Sequence, residues 1–243
     1  MRASQFQFQQ FTIRQDHTAM KVGTDGVLLG ALAQFDQPHR LLDIGCGTGL
    51  LALMLKQRYP EAETLAVEID DGAASDAAQN FAAAPWPIAL LHQDFRQFAD
   101  QCPQPFDAIV CNPPYFADAL KCPDLARRTA RHTDTLPFAQ LMQGAAKILT
   151  ENGRMWVVIP PAEASDLVAQ ANRCGLYATR QIAVAAIEGQ APKRLLIAFE
   201  RHPESCQTES LAMETADRRA YTDAYRQAVG PFYLEKYFEQ KSR

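Results

Sequence analysis

From Arg40 the chain reads Arg40-Leu41-Leu42-Asp43-Ile44-Gly45-Cys46-Gly47-Thr48-Gly49, followed by the apolar run Leu50-Leu51-Ala52-Leu53-Met54-Leu55. An apolar run, three glycines at alternate positions and a second apolar run describe a buried strand, a glycine-rich turn and a helix. Such a turn lets bare backbone approach a ligand at a helix N-terminus. The spacing is G-x-G-x-G, not the G-x-G-x-x-G of dinucleotide binders. Similar units follow. Thr64-Leu65-Ala66-Val67-Glu68-Ile69-Asp70, Ile88-Ala89-Leu90-Leu91-His92-Gln93-Asp94-Phe95 and Phe106-Asp107-Ala108-Ile109-Val110-Cys111 read as three more strands, the first two ending in acids. Helices are expected at 49–58, 71–83 and 138–149, then a strand from Arg154 to Ile159 and a helix from Ala162 to Cys174 stopped by Gly175. This alternation predicts an α/β fold with a doubly wound, mostly parallel sheet. Thr179 to Ala186 and Arg194 to Glu200 are joined by a link too short for a parallel crossover, so they form an antiparallel hairpin.

The strand ends carry the chemistry. Asp43 precedes the glycine-rich turn, where its carboxylate could meet a cationic amino group. Glu68 follows Gly49 by 19 residues, about the spacing at which an acid grips both hydroxyls of a ribose. Asp94 suits an adenine amine, with Phe95 against the ring. The fourth strand runs into Asn112-Pro113-Pro114-Tyr115. An Asn side-chain carbonyl and the next backbone carbonyl can accept both N–H bonds of a planar, resonance-tied amine. That nitrogen is a poor nucleophile in adenine N6, cytosine N4 or a glutamine amide, and acceptors that favour its developing charge help mainly in the transition state. The prolines stiffen the turn, and the aromatic ring can stack on a planar substrate.

These motifs resemble those of class I S-adenosylmethionine-dependent methyltransferases of the amino-methylating kind. Two runs narrow the resemblance, Ala19-Met20-Lys21-Val22-Gly23-Thr24-Asp25-Gly26-Val27-Leu28-Leu29-Gly30 and Cys111-Asn112-Pro113-Pro114-Tyr115-Phe116. Together they are similar to the bacterial adenine-N6 methyltransferases acting on valine tRNA at the adenosine 3′ of the anticodon. The resemblance spans nearly the whole chain, from Phe11 to the region around Phe232-Tyr233-Leu234. It implies a Rossmann-like fold with a mostly parallel seven-stranded sheet closed by an antiparallel C-terminal hairpin. It implies S-adenosyl-L-methionine as cofactor, bound by Lys21, Gly23, Thr24, Asp43, Gly45, Cys46, Gly47, Gly49, Glu68, Asp94, Phe95 and Asn112. Catalysis falls to Asn112, Pro113, Pro114 and Tyr115, and Phe116 faces the RNA base. Residues 21–24 are expected to fold over the methionine end of the cofactor. Read from the residues alone, Thr24 or Asp25 can cap the helix from Val27 to Phe35, and Lys21 faces either the cofactor carboxylate or solvent.

At 243 residues the chain suits one domain, 1–243, with an N-terminal extension 1–39 and a helical C-terminal segment 208–243. Residues 6–13 read as an exposed strand or hairpin, residues 201–210 as a loop and 211–240 as helical with packing aromatics. The composition, 47% hydrophobic, excludes a disordered chain, and no apolar run is long enough for a bilayer. The start lacks the apolar stretch of a secretory signal. Six cysteines show no C-x-x-C pair and no metal-ligand spacing. A reduced cytoplasm, no metal and a monomer are the expectations.

A net charge of −4 runs against nucleic-acid binding unless a basic patch is local. Arg127-Arg128-Thr129-Ala130-Arg131-His132 is such a patch, and Arg127, Arg128, Arg131 and His132 are read as phosphate contacts. Lys193-Arg194, Arg218-Arg219 and Arg226 are read as paired surface. Ribosomal RNA guanine N2 and a protein glutamine amide are the alternative substrates. Enzymes acting on glutamine carry a helical domain before the glycine turn, for which the 39 residues before Arg40 are too few.

Overall fold

The structure, a computed structural model, describes residues 4–114 and 136–239. It begins with a hairpin of β1 (Gln5–Gln7) and β2 (Thr12–Arg14) and a helix α1 (Thr24–Leu32). The alternating body follows: β3 (Arg40–Ile44), α2 (Leu50–Arg58), β4 (Glu63–Glu68), α3 (Asp71–Ala83), β5 (Ala89–His92), α4 (Phe95–Gln101) and β6 (Phe106–Cys111). Beyond the undescribed residues come α5 (Phe138–Ile148), β7 (Leu149–Ile159), α6 (Ala164–Arg173), β8 (Tyr177–Ile187) and β9 (Arg194–Glu200). The last elements are β10 (Gln207–Glu214), α7 (Asp223–Val229) and the short α8 (Lys236–Glu239).

Strands β3 to β10 form one sheet in the order β10-β8-β9-β7-β6-β3-β4-β5. The chain winds outward from β3 to β5, then returns to lay β6 on the other side of β3. That reversal opens a crevice at the carboxyl ends of β3 and β6, where ligands bind in open α/β sheets. The central strands are buried on both faces, which is why they read as unbroken apolar runs. One face is covered by α1, α2, α3 and α7, through side chains such as Leu28, Leu53, Phe81 and Tyr225. The other is covered by α4, α5 and α6, through Phe98, Leu141 and Leu167. Helix α5 buries Phe138, Leu141, Met142, Ala145 and Ile148, one stripe at helical spacing. Helix α2 is buried along nearly its whole length, and the Lys56 ammonium within it donates to the Ala62 carbonyl at 2.6 Å.

The seven expected strands and the β8–β9 hairpin are present, but the sheet has an eighth strand. Residues 207–214 pair parallel to β8, from Gln207 opposite Arg180 to Glu214 opposite Ile187. The loop and helix expected there are therefore corrected: among the described residues of that region the chain is helical only at 223–229 and 236–239. Polar Gln207, Thr208, Glu209 and Ser210 tolerate this edge position because backbone pairing, not side-chain burial, holds it. The N-terminal hairpin forms and is exposed on its polar side, at Gln5, Gln7, Thr12 and Arg14, while its apolar side is covered. Phe8, Phe11 and Ile13 are buried, with the Phe8 and Tyr233 rings 5.8 Å apart. Neither Thr24 nor Asp25 caps α1; the N-cap is Gly23, without a side-chain bond, and Asp25 instead pairs with Arg194 at 2.8 Å.

Gly49 has φ +81°, and a Cβ there would lie 2.3 Å from the Phe81 ring. Gly49→Ala should therefore lower unfolding free energy by about 1–3 kcal/mol, from left-handed strain plus overpacking. Urea unfolding checks this, and a loss below about 0.5 kcal/mol would mean that Phe81 yields freely.

Candidate active site

Parallel register brings the strand ends together. Ile44 of β3 lies opposite both Val67 of β4 and Cys111 of β6, so Gly45, Glu68 and Asn112 are the next residues out along three neighbouring strands. Strands in a sheet are about 4.8 Å apart, so the glycine-rich turn sits between an acid and the Asn-Pro-Pro segment. Asn112 is half-buried, Pro113 buried and Pro114 exposed.

The turn itself is made by Gly45, Gly47 and Gly49, all at positive φ. The Gly45 and Gly47 N–H groups point different ways. Gly45 and Cys46 both donate to the Val67 carbonyl, at 2.9 and 3.1 Å, which locks the turn to β4. Gly47 donates to Glu68 Oε2 at 2.7 Å. The other Glu68 oxygen accepts from Ile69 and Asp70 N–H at 2.8 and 2.9 Å, so backbone dipoles hold this buried carboxylate in place. A Cβ at Gly45 or Gly47 would meet nothing within 4 Å, so the turn faces open space.

Asp43 is fully buried. Its Oδ2 accepts the Ala52 N–H of α2 at 3.0 Å, and its Oδ1 has no hydrogen-bond partner among the described residues. Burial raises its pKa from 3.8 to about 7, with the Ala52 N–H opposing and the nearby Glu68 charge adding to the rise. A buried carboxylate oxygen without a donor is the complement of a cation or an N–H group. Burial also pushes the Cys46 and Cys111 thiols well up, so both are inert packing groups.

Other assignments change. Asp94 caps α4, accepting Arg96 N–H at 2.8 Å, and its carboxylate is gripped by the Arg96 guanidinium, which holds it below the usual carboxylate range. In the folded chain this carboxylate, at the carboxyl end of β5, is engaged by Arg96. Phe95 is buried among α4 and α5, so close to Gly144 that a Cβ there would lie 2.6 Å from its ring. It packs the core and does not face the crevice. Lys21 donates its ammonium to the Gln15 carbonyl. Gly23 and Thr24 are exposed beside the turn, because Gly26 of α1 packs on Leu50, where an added Cβ would be 3.1 Å from the side chain. Tyr115, Phe116, Arg127, Arg128, Arg131 and His132 lie outside the described residues. Of the remaining basic residues, Arg194 pairs with Asp25, Arg218 with Glu214 at 3.7 Å, Arg219 with Asp217 at 3.9 Å and Arg226 with Glu235 at 3.1 Å.

Sequence reasoning passed over Ile69, which follows Glu68 and is 52% exposed, an apolar surface at the rim of the crevice. An apolar residue directly after a strand-end acid was the available signal. It also passed over Asp76 and Asn80 in α3, both buried polar groups bonded to the N-terminal segment.

A family model described as the methyltransferase small domain matches residues 17–166, which include the ends of β3, β4 and β6. The chain belongs to that family. Among curated relatives, a protein of Bacteroides thetaiotaomicron named tRNA1(Val) (adenine(37)-N6)-methyltransferase is 48% identical over 232 residues, covering 94% of this chain and 97% of the relative. Proteins of the same name from Flavobacterium psychrophilum and Histophilus somni are 41% and 39% identical, each over 95% of this chain and 99% and 97% of their own length. Among solved structures, a predicted O-methyltransferase, Atu636 from Agrobacterium tumefaciens, has a TM-score of 0.63 at 18% identity, covering 86% of this chain and 96% of that one. That likeness concerns the fold alone. The chain is a methyltransferase.

The Asp43 shift has a pH signature. The unfolded side chain ionises near 3.8 and the folded one near 7, so between these values the folded chain keeps a proton that the unfolded chain has lost. Its contribution to stability therefore falls as pH rises from about 4 to about 7. Asp43→Asn should remove that slope, and the unfolding free energy of the variant should gain on the wild type by about 1 kcal/mol per pH unit across the window. A difference that stays flat from about pH 4 to pH 8 would show that Asp43 keeps its ordinary acidity when folded.

Proposed function

We propose that this chain transfers a methyl group to the N6 amine of adenosine 37 in valine tRNA, in the crevice between the glycine-rich turn and Asn112. The observation that carries the reading is that Asn112-Pro113 emerges one strand away from a turn whose glycines face open space. The curated relatives, near half identical over almost the full chain, support the same substrate.

The residues present fit the cofactor. The open cradle at Gly45 and Gly47 admits a ligand against backbone, and the unpartnered Asp43 oxygen suits the ammonium of an amino acid. Glu68 is placed to accept from ribose hydroxyls beside the turn. Ile69 offers an apolar surface for a purine ring. When bound, S-adenosyl-L-methionine supplies a methyl group on a sulfonium sulfur, which an amine nitrogen displaces to leave a neutral thioether.

The chain's own contribution is orientation. Asn112 Oδ1 and the Pro113 carbonyl accept the two N–H bonds of the amine, turning its lone pair toward the methyl group. The positive charge that develops on nitrogen strengthens both hydrogen bonds, so their help is concentrated in the transition state. Pro113, buried against the fold, and Pro114 keep the turn from relaxing. The alkylated nitrogen sheds its proton to water, so no histidine base is assigned. Tyr115 or Phe116 stacks on the adenine, which must leave its loop at a cost of a few kcal/mol. Arg127, Arg128, Arg131 and His132 meet the neighbouring phosphates. The enzyme acts as a cytoplasmic monomer without a metal in this reading. Among the described residues no helix is long and apolar enough to cross a membrane, and no group of three or more His, Cys, Asp or Glu side chains is placed to hold a metal.

The test is incubation of purified protein with methyl-labelled cofactor and unmodified valine tRNA transcript, followed by digestion and mass spectrometry. N6-methyladenosine at position 37 is expected. Label in ribosomal RNA or protein, with none in tRNA, would overturn the substrate. In the same assay Asn112→Ala should lower kcat by roughly a hundredfold or more while calorimetric cofactor binding survives. Near-normal turnover would remove Asn112 from the catalytic role.

A further inference from the structure

Two side chains one turn apart on α3 grip the segment that leads into residues 21–24. Asn80 exchanges two hydrogen bonds with the backbone of Arg14, accepting its N–H at 2.8 Å and donating to its carbonyl at 2.9 Å. The same Asn80 amide donates to the carbonyl of Thr48, within the glycine-rich turn, at 2.9 Å. Asp76 Oδ2 accepts the N–H groups of His17 and Thr18 at 3.0 and 2.8 Å, and its Oδ1 pairs with His17 Nδ1 at 2.9 Å. Asp76 and Asn80 are 1% and 2% exposed. The fit is close: a Cβ on Gly72 would stand 2.8 Å from the His17 carbonyl oxygen.

Beyond this anchor the segment closes on itself. Gln15 Oε1 accepts the Val22 N–H at 2.7 Å, the Lys21 ammonium meets the Gln15 carbonyl, and Thr18 Oγ1 donates to the Met20 carbonyl at 3.2 Å. The far end is fixed where Gly26 packs on Leu50, the first residue of α2. Residues 19–23 therefore bridge from α3 to α1 across the N-terminus of α2, which is the end that carries the glycine-rich turn.

We infer that Asp76 and Asn80 are positioning residues for the cofactor site: they hold residues 14–18 to α3, so that residues 19–23 stand as a fixed wall beside the glycine-rich turn. Asn80 ties Arg14, at the start of the anchored segment, and Thr48 of the turn to one side-chain amide, so the two share a common point of attachment. Both side chains are buried, and removing either leaves backbone N–H or C=O groups without partners, which frees the segment. The inference rests on the reading that the glycine-rich turn holds the cofactor.

The test is titration calorimetry of S-adenosylhomocysteine with the full chain and with Asp76→Ala and Asn80→Ala, at a temperature where circular dichroism shows each folded. Each variant should bind at least tenfold more weakly at unchanged stoichiometry. A substitution that only unfolds part of the sample lowers the stoichiometry and leaves Kd in place; that result, or an unchanged Kd and stoichiometry, overturns the inference. If the alanine variants do not fold, Asp76→Asn, which keeps the shape and one acceptor oxygen, and His17→Ala, which removes the half-exposed ring bonded to Asp76 Oδ1, carry the same comparison, with about a threefold rise in Kd expected. Failure of the wild-type chain to bind S-adenosylhomocysteine would count against the glycine-turn reading itself, and so separates the two.

Discussion

Parallel pairing of β3 with β4 on one side and β6 on the other is the constraint on which the site depends. It puts Gly45, Glu68 and Asn112 in adjacent lanes, although they are 67 positions apart from first to last in the sequence. The two carbonyl bonds from Gly45 and Cys46 to Val67, and the bond from Gly47 to Glu68, then fix the glycine-rich turn against β4. Backbone groups, not long flexible side chains, define the cradle. Little conformational entropy remains to be lost when a ligand enters it.

The two acids nearest the turn are stabilised differently. Glu68 is surrounded by three backbone N–H donors, whereas Asp43 has one and keeps an oxygen bare. This imbalance leaves the Asp43 side poised for a donor that the folded chain does not itself supply. It is a local polar deficit inside an otherwise satisfied site, the kind of departure that consistent folds reserve for function.

Much of this was legible in the sequence because the β-α units repeat their signals: apolar run, turn residues, amphipathic run. The strand ends of β3, β4 and β6 could be placed, and with them Asp43, Glu68 and Asn112. Other features depend on tertiary context. Asp94 has a cap site and an arginine two residues on, and its carboxylate is bonded to both. Phe95 looked like a ring for stacking, but the first turn of α4 aims it at Gly144. Residues 211–214, Leu-Ala-Met-Glu, favour a helix by propensity, yet the open edge of β8 pairs with them as a strand. Asp76 and Asn80 could not be read at all, since their partners lie some 60 positions away and are backbone atoms. Residues 115–135, which hold the remaining substrate assignments, are not described.

The aromatic contacts between the N-terminal hairpin and the C-terminal region have a consequence for biosynthesis. Gln9 donates to the carbonyls of Gly230 and Tyr233, Tyr237 reaches the Gln7 carbonyl, and the Phe6 ring stacks on Tyr237. The hairpin leaves the ribosome long before residues 230–237, so it completes its packing only after they have emerged. Contacts of such long range close late in folding. The wall that follows the hairpin is held by α3 and α2 instead, so its anchor is complete in the emerged chain well before the hairpin finds its own aromatic partners.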